Sequence, residues 1–368
     1  MMQQLIIKGK SISFNDIQKG NFDTSHYDKY SQDAIHFCHE WLNGIETFTI
    51  TTSGSTGKPK LIQLTRKQMQ ASASSTGKAL GLQEGDHAFC CLNTNYIAGM
   101  MMLVRAMEIG MDITVEEPSG NPLEQFSVQD RFDFLSMVPM QVQATLQSDK
   151  LTSIMDNSKA LIIGGAPASL ELEELIKHKL QHIAVYATYG MTETVSHIAL
   201  RQINGSTPSA AYKTLDGVEL GQDDRGCLTI KAPMSNDELL FTNDLVELIS
   251  ADQFIWLGRY DNVINSGGVK VQAEKVEKAI ESYLIEVGDS TPFFVAGIPD
   301  TRLGEKVVIF AEQQFPALDK KMLTHLSEIL KTYELPKEVI LVDEFEKTET
   351  QKVSRRKTIE LYIQQNSL

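Results

Sequence analysis

The stretch TTSGSTGKPKLIQLT, residues 51–65, opens with five hydroxyl side chains, two glycines, two lysines and a proline in ten positions. The ETFTIT run that leads into it alternates and is β-branched or aromatic at most positions, so the loop is expected to follow a strand. RKQMQASASSTGKAL after it has helical composition, which gives an expected strand–loop–helix unit. Consecutive N–H groups in such a loop form an anion nest, and a following helix N-terminus adds partial positive charge. Ser53, Ser55 and Thr56 add hydroxyl donors, Gly54 and Gly57 permit close approach, and Lys58 and Lys60 bring charge. Pro59 stands where the Walker pattern needs Ser or Thr after its lysine, so this is a different phosphate loop or a solvated Ser/Gly linker.

Outward from the loop, short apolar runs (DHAFCCLN, DITVEE, FDFLSMVP, KALIIGG, IAVYATYG) alternate with helical segments at 97–109, 139–147 and 169–180. That alternation predicts an α/β domain with a mostly parallel sheet. After about residue 210 the texture becomes strand pairs with Gly or Asp turns, which predicts a β-rich subdomain. A compact α+β unit follows Arg259. The expected division is a large domain over 1–258, a hinge at 259–261 and a small, mobile domain over 262–368.

The chain of 368 residues carries a net charge of -14, which argues against a nucleic-acid binder held by its overall field. Its four cysteines lack CxxC spacing, as suits a reducing cytoplasm, and the most apolar segment is broken by Arg105 and Glu108, which argues against membrane insertion.

Other stretches bear chemistry, each beside a plainer account. TYGMTET (188–194) offers Tyr189 to stack on a base and Glu193 to hold a hard cation, or it is a strand-to-turn corner. LIIGGAP (161–167) ends in bare backbone that admits a flat ligand, or is a tight βα turn. FTNDL (241–245) and GRYDNVINSGGVKV (258–271) supply Asp244 and Arg259 for a ribose or phosphate, or are a turn aspartate and a surface arginine. KTETQKVSRRK (347–357) is a basic segment in an acidic chain, either a solvated tail or the carrier of a lysine that swings into a site.

In this order the stretches resemble the adenylate-forming acyl-CoA synthetase superfamily, the AMP-binding enzymes, over about residues 50–357. TTSGSTGKPK is similar to its phosphate loop, YGMTET to its aromatic-Gly-x-Thr-Glu motif, and TND to its Thr-Gly-Asp, with Asn243 in place of Gly. GRYDNVINSGGVKV resembles the hinge motif and KTETQKVSRRK the C-terminal lysine motif, with Gln351 in place of a glycine. The resemblance implies that Ser53, Gly54, Ser55, Thr56, Gly57 and Lys60 hold the ATP phosphates. It places adenine against Gly164, Gly165, Ala166, Tyr189 and Gly190. Thr192 meets the α-phosphate, Glu193 holds Mg²⁺, and Asp244 and Arg259 take the ribose. Asp261 is the hinge, Gly267, Gly268 and Lys270 meet coenzyme A, and Lys352 is the catalytic lysine between the incoming carboxylate and the α-phosphate.

Within the superfamily, a short chain with GGAP and YGMTETVSHIAL looks most like the o-succinylbenzoate–CoA ligases of menaquinone synthesis. LNTNYIAGMMMLVRAM (92–107) resembles their Phe-His-x-Ser-Gly segment, with Tyr96 at the histidine and Ala98 at the serine. The acyl pocket is accordingly expected at Tyr96, Gly99, Arg105 and His197, with Arg105 paired to a second carboxylate or salt-bridged elsewhere. The expected activity is an ATP-dependent acid–thiol ligase acting on a small carboxylic acid. The alternatives are another aryl- or acyl-CoA ligase, or a truncated ATP-binding module. A homodimer is left open. The phosphate loop begins near residue 51, so the N-terminal subdomain is reduced relative to the superfamily pattern.

Overall fold

The runs FLSM (134–137) and ALII (160–163) are buried at every position, the mark of parallel strands covered on both faces. They sit in the middle of the fold in a computed structural model that describes residues 3–52, 60–347 and 353–366. The first elements are β1 (Gln4–Ile7), β2 (Lys10–Ser13), α1 (Phe14–Lys19), α2 (Lys29–Leu42), β3 (Thr47–Thr52), β4 (Lys60–Thr65) and α3 (Arg66–Leu80). Then come β5 (His87–Cys90), α4 (Ile97–Ile109), β6 (Asp112–Val115), β7 (Phe134–Met137), α5 (Pro139–Thr145), α6 (Asp149–Asp156), β8 (Ala160–Ile163), α7 (Leu170–Lys179) and β9 (Ala184–Gly190). The β-rich part runs through β10 (His197–Gln202), β11 (Tyr212–Thr214), β12 (Glu219–Gln222), β13 (Cys227–Lys231), β14 (Leu239–Ser250) and β15 (Gln253–Arg259).

These strands, apart from β3 and β4, make one 13-stranded sheet in the order β12-β13-β14-β15-β11-β10-β9-β8-β7-β5-β6-β1-β2. From β1 through β6, β5, β7 and β8 to β9 neighbours are parallel, and α4, α5 and α7 serve as crossovers. The β-rich stretch after residue 210 is the antiparallel continuation of this sheet, joined to it through β10 and β11. Met101, Met102, Leu103 and Val104 are fully buried along the middle of α4, as its apolar sequence requires.

One expectation is corrected at the loop itself. Between the loop and the helix stands a strand that the expected strand–loop–helix unit did not include: β4 pairs antiparallel with β3, Thr52 opposite Lys60, as a separate two-stranded sheet, and runs directly into α3. The α3 N-terminus is closed by its own capping box, in which Thr65 Oγ1 accepts from Gln68 N and Gln68 Oε1 accepts from Thr65 N. One of the helix's first N–H groups, that of Gln68, is thereby satisfied by Thr65.

The remaining elements are β16 (Val263–Ser266), β17 (Val269–Gln272), α8 (Ala273–Val287), β18 (Phe293–Asp300), β19 (Gly304–Glu312), α9 (Lys320–Ile329), β20 (Glu338–Val342) and α10 (Arg355–Gln365). They form a five-stranded sheet with helices, and their apolar cores draw on no buried residue before Ile264. The β16–β17 turn uses Gly267 and Gly268, at φ 60° and 79°, as a tight two-residue hairpin demands. Basic residues of the C-terminal stretch are structured: Arg355 pairs with Glu277 of α8, Thr358 is buried, and Lys347 and Val353 form an antiparallel bridge. The unit meets the rest of the chain through Glu281 Oε1, which accepts from Leu170 N at the start of α7.

Candidate active site

The residues singled out from sequence gather at the carboxyl ends of the parallel strands, where α/β sheets hold ligands. Gly164, Gly165 and Ala166 follow β8, Tyr189 and Gly190 end β9, and Tyr96 opens α4 after β5. A side chain at Gly164 would meet Thr188 Oγ1 at 2.6 Å, so the two strand ends abut.

Tyr189 is the centre of the first cluster. Its ring packs edge-on to Phe254 at 5.0 Å and near Tyr212 at 5.8 Å, and its hydroxyl donates to Asp244 Oδ2 at 2.7 Å. β10, β11 and β15 separate their strands in the sheet, so the contact requires the sheet to coil strongly here. Burial, then the Asp244 charge, raises the Tyr189 phenol well above its ordinary range, which keeps it a neutral donor. Asp244 is itself buried and accepts a second bond from Trp256 Nε1 at 3.1 Å. Arg259 lies directly across the strand pair, its Nε 3.8 Å from Asp244 Oδ1. Tyr189, Asp244 and Arg259 are thus brought together, and Trp256 is a fourth member that no motif announces.

Around the expected hinge, Asp261 Oδ2 accepts from both Arg259 Nη2 and Asn243 Nδ2 at 3.3 Å. Asn243, standing at the motif's glycine, also accepts from Arg225 Nη1 at 2.8 Å.

The second cluster hangs from the turn between β9 and β10. Thr192, Glu193 and Thr194 form one short 3₁₀ turn with Glu193 exposed and Thr194 buried. Ser196 N then donates back to Thr194 O at 2.6 Å around Val195, whose φ of 64° and ψ of -50° make a tight, strained γ-turn. A β-branched residue at positive φ is costly and persists only where its surroundings over-determine it. Here they do: Val195 is fully buried, and Thr194 Oγ1 bonds both Met191 O and Ser196 O.

That turn aims Ser196 at α4. Arg105 is buried, and its Nη2 donates to Ser196 Oγ at 2.7 Å. Among the described residues its only other polar partner is Met102 Sδ at 3.9 Å, and its Nε has none. Among the described residues no carboxylate pairs with it, so the alternative of a salt-bridged helix arginine is not what the structure holds. Burial lowers the guanidinium's pKa to about 10, so it remains charged at neutral pH. His197 lies beside Ser196, linking this group to Thr76 of α3. Tyr96, by contrast, is 55% exposed and joins neither cluster. Gly99 is filled from behind: a Cβ there would stand 2.5 Å from Asn93 O, so its role is packing of the β5–α4 connection. Ser196, Thr76 and Trp256 were missed by sequence reasoning; only the place of Ser196 two residues past the motif offered a signal.

Ser53, Gly54, Ser55, Thr56 and Gly57 lie outside the described residues, as does Lys352; Lys60 opens β4. Gly267, Gly268 and Lys270 sit exposed on the β16–β17 hairpin, and no hydrogen bond or ion pair among the described residues ties them to either cluster. No three metal-ligating side chains converge among the described residues, which leaves the exposed Glu193 as a single carboxylate for a cation that arrives with phosphates. No helix among them is long and apolar enough to cross a membrane.

The AMP-binding enzyme family matches residues 43–226, and the AMP-binding enzyme C-terminal domain matches 279–352. A crystal structure of an acyl-CoA synthetase (AMP-forming)/AMP-acid ligase II-like protein from Dyadobacter fermentans is 40% identical, with a TM-score of 0.62, over 93% of this chain and 97% of that one. The 2-succinylbenzoate–CoA ligase of Oceanobacillus iheyensis is 27% identical over 83% of this chain and 67% of its own length. An O-succinylbenzoate coenzyme A synthetase from Bacillus subtilis, in complex with ATP and magnesium ion, shares the fold at 24% identity and a TM-score of 0.67, over 84% of this chain and 69% of that one. The chain belongs to the AMP-binding enzyme family. Within it, this is an AMP-forming acid–thiol ligase.

Proposed function

We propose that this enzyme activates an aromatic acid bearing a second carboxylate, o-succinylbenzoate, and hands the acyl group to coenzyme A, the step that serves menaquinone synthesis. In the first half-reaction the carboxylate oxygen bonds to the α-phosphorus of ATP and pyrophosphate leaves. In the second the thiol sulfur bonds to the acyl carbon, AMP leaves, and the thiol proton is released.

The observation that carries the choice of acid is Arg105. A fully buried cation without a counter-charge is unstable unless an anion completes it. Its charge and its unpartnered Nε fit a carboxylate that does not react, with the reacting carboxylate directed toward the nucleotide. The curated relatives named 2-succinylbenzoate–CoA ligase support the same acid.

For the nucleotide, Gly164, Gly165 and Ala166 lie beside adenine with Tyr189 on its face, and Asp244 accepts from the ribose hydroxyls with Arg259 at its side. Tyr189 and Trp256 hold the Asp244 carboxylate in place for that task. Thr192 meets the α-phosphate, and the loop at 53–60 clasps the others. Glu193 is the residue that would hold Mg²⁺, whose charge offsets that of the phosphates. The small domain turns about Asp261, delivering Lys352 for the first half-reaction and Gly267, Gly268 and Lys270 toward coenzyme A for the second.

The deciding experiment is pyrophosphate release across a panel of acids, followed by CoA-dependent release of AMP. o-Succinylbenzoate should outrun benzoate; turnover of benzoates without turnover of o-succinylbenzoate would sink this reading. Arg105→Met, which fills the buried space without charge, should cut kcat/KM for o-succinylbenzoate about 10- to 100-fold and move benzoate little, the span set by a hydrogen bond to a charged group. Asp244→Asn should raise KM for ATP about 10-fold or more and leave the ranking of acids unchanged, since the ribose contact and the Tyr189, Trp256 and Arg259 contacts it disturbs all lie in the nucleotide cluster, away from Arg105. A changed ranking would place Asp244 in the acid pocket instead.

A further inference from the structure

The directions of four hydrogen bonds around Arg105 are mutually fixed. Thr76 Oγ1 donates to Ser72 O at 2.8 Å, within α3. Its one proton is thereby used, so toward His197 Nε2, 3.1 Å away, it accepts, and the imidazole carries its proton on Nε2. The ring is buried and neutral: burial first, then the Arg105 charge, pushes its pKa well below the ordinary value. Nδ1 is then a bare acceptor, and Ser196 Oγ at 3.3 Å gives it the hydroxyl proton. With that proton placed, the Ser196 lone pairs face Arg105 Nη2 at 2.7 Å.

We propose that Thr76, His197 and Ser196 form a one-way hydrogen-bond chain that presents Ser196 as a fixed acceptor to Arg105, making Ser196 and His197 positioning residues for recognition of the second carboxylate. His197 does not touch the acid and takes no proton during turnover. The chain locks one edge of the guanidinium on Ser196 and leaves its remaining N–H groups for the ligand. This inference rests on the reading of Arg105 as the carboxylate-binding group.

Two measurements test it. Histidine-labelled enzyme should show His197 in ¹⁵N–¹H correlation spectra as the neutral Nε2–H tautomer; an Nδ1–H tautomer or a charged ring overturns the chain, with no variant needed. The ratio of kcat/KM for o-succinylbenzoate to that for benzoate should fall about 10-fold in Ser196→Ala, through KM for o-succinylbenzoate, while KM for ATP changes less than about 2-fold. Should Ser196→Ala fail to fold, Thr76→Val breaks the chain at its other end and should lower the same ratio. A ratio that collapses in Arg105→Met and holds in the chain variants overturns this proposal and leaves the Arg105 reading standing. A ratio unchanged in all of them overturns both.

Discussion

Lys352→Ala should slow acyl-adenylate formation about 10²- to 10³-fold and leave thioester formation from supplied acyl-adenylate within about 2-fold of wild type. Joining a carboxylate to a polyphosphate brings two anions together, and a placed ammonium is worth that range when it stabilises charge in the transition state. The second half-reaction starts from an acyl-adenylate and a thiol, has no such anion pair to bridge, and does not call on the same group. Separate assays of pyrophosphate release and of thioester formation check this directly. Equal loss in both would remove Lys352 from the role given to it and point to a general folding or docking defect of the small domain.

Gly190→Ala should be severe for a different reason. A Cβ at Gly190 would lie 2.3 Å from Ser196 O and 2.5 Å from His197 Cα, both backbone atoms with no freedom to swing aside. Overpacking of this kind costs about 1–3 kcal/mol or more, and here the strain falls on the turn that carries Thr192, Glu193 and Ser196. A shift of about 1 Å in groups that position a reacting substrate is enough for a loss near 10²-fold. Urea unfolding should show the lost stability, and o-succinylbenzoate-dependent pyrophosphate release should show the lost rate. Wild-type values for both would mean that the β9–β10 turn opens freely, contrary to its buried γ-turn.

The motif glycine is a good measure of what the sequence conveys. Its position was legible from Tyr-Gly-x-Thr-Glu, but its necessity comes from the Ser196–His197 backbone across the hairpin, a relation no local pattern encodes. The parallel strands were legible because each is a short apolar run between turn signals. The continuity of the antiparallel part with the same sheet was not, since β11 joins β15 across the whole β12–β14 excursion. The helix was legible from Arg66 onward, but LIQLT was left unassigned, because its alternation is short and it runs into the Thr65 cap without a visible break. In the candidate site, residues of recurrent motifs were nameable in advance. Trp256 and Ser196 were not, because each acts through a side-chain contact that no motif marks: Trp256 on Asp244 across the β14–β15 hairpin, Ser196 on Arg105 far along the chain.

The Lys347–Val353 bridge and the Arg355–Glu277 pair have a consequence for how charge is delivered to the phosphate. On the role proposed for Lys352, the flanking residues matter: Lys347 and Val353 are bridged to each other and Arg355 is held by Glu277 of α8, so both ends of the intervening chain belong to the same unit. Under that proposal the ammonium's local concentration at the α-phosphorus is a property of the interdomain equilibrium. Anything that tips this equilibrium sets, in one move, both how often the charge is present and how often the thiol has room to enter.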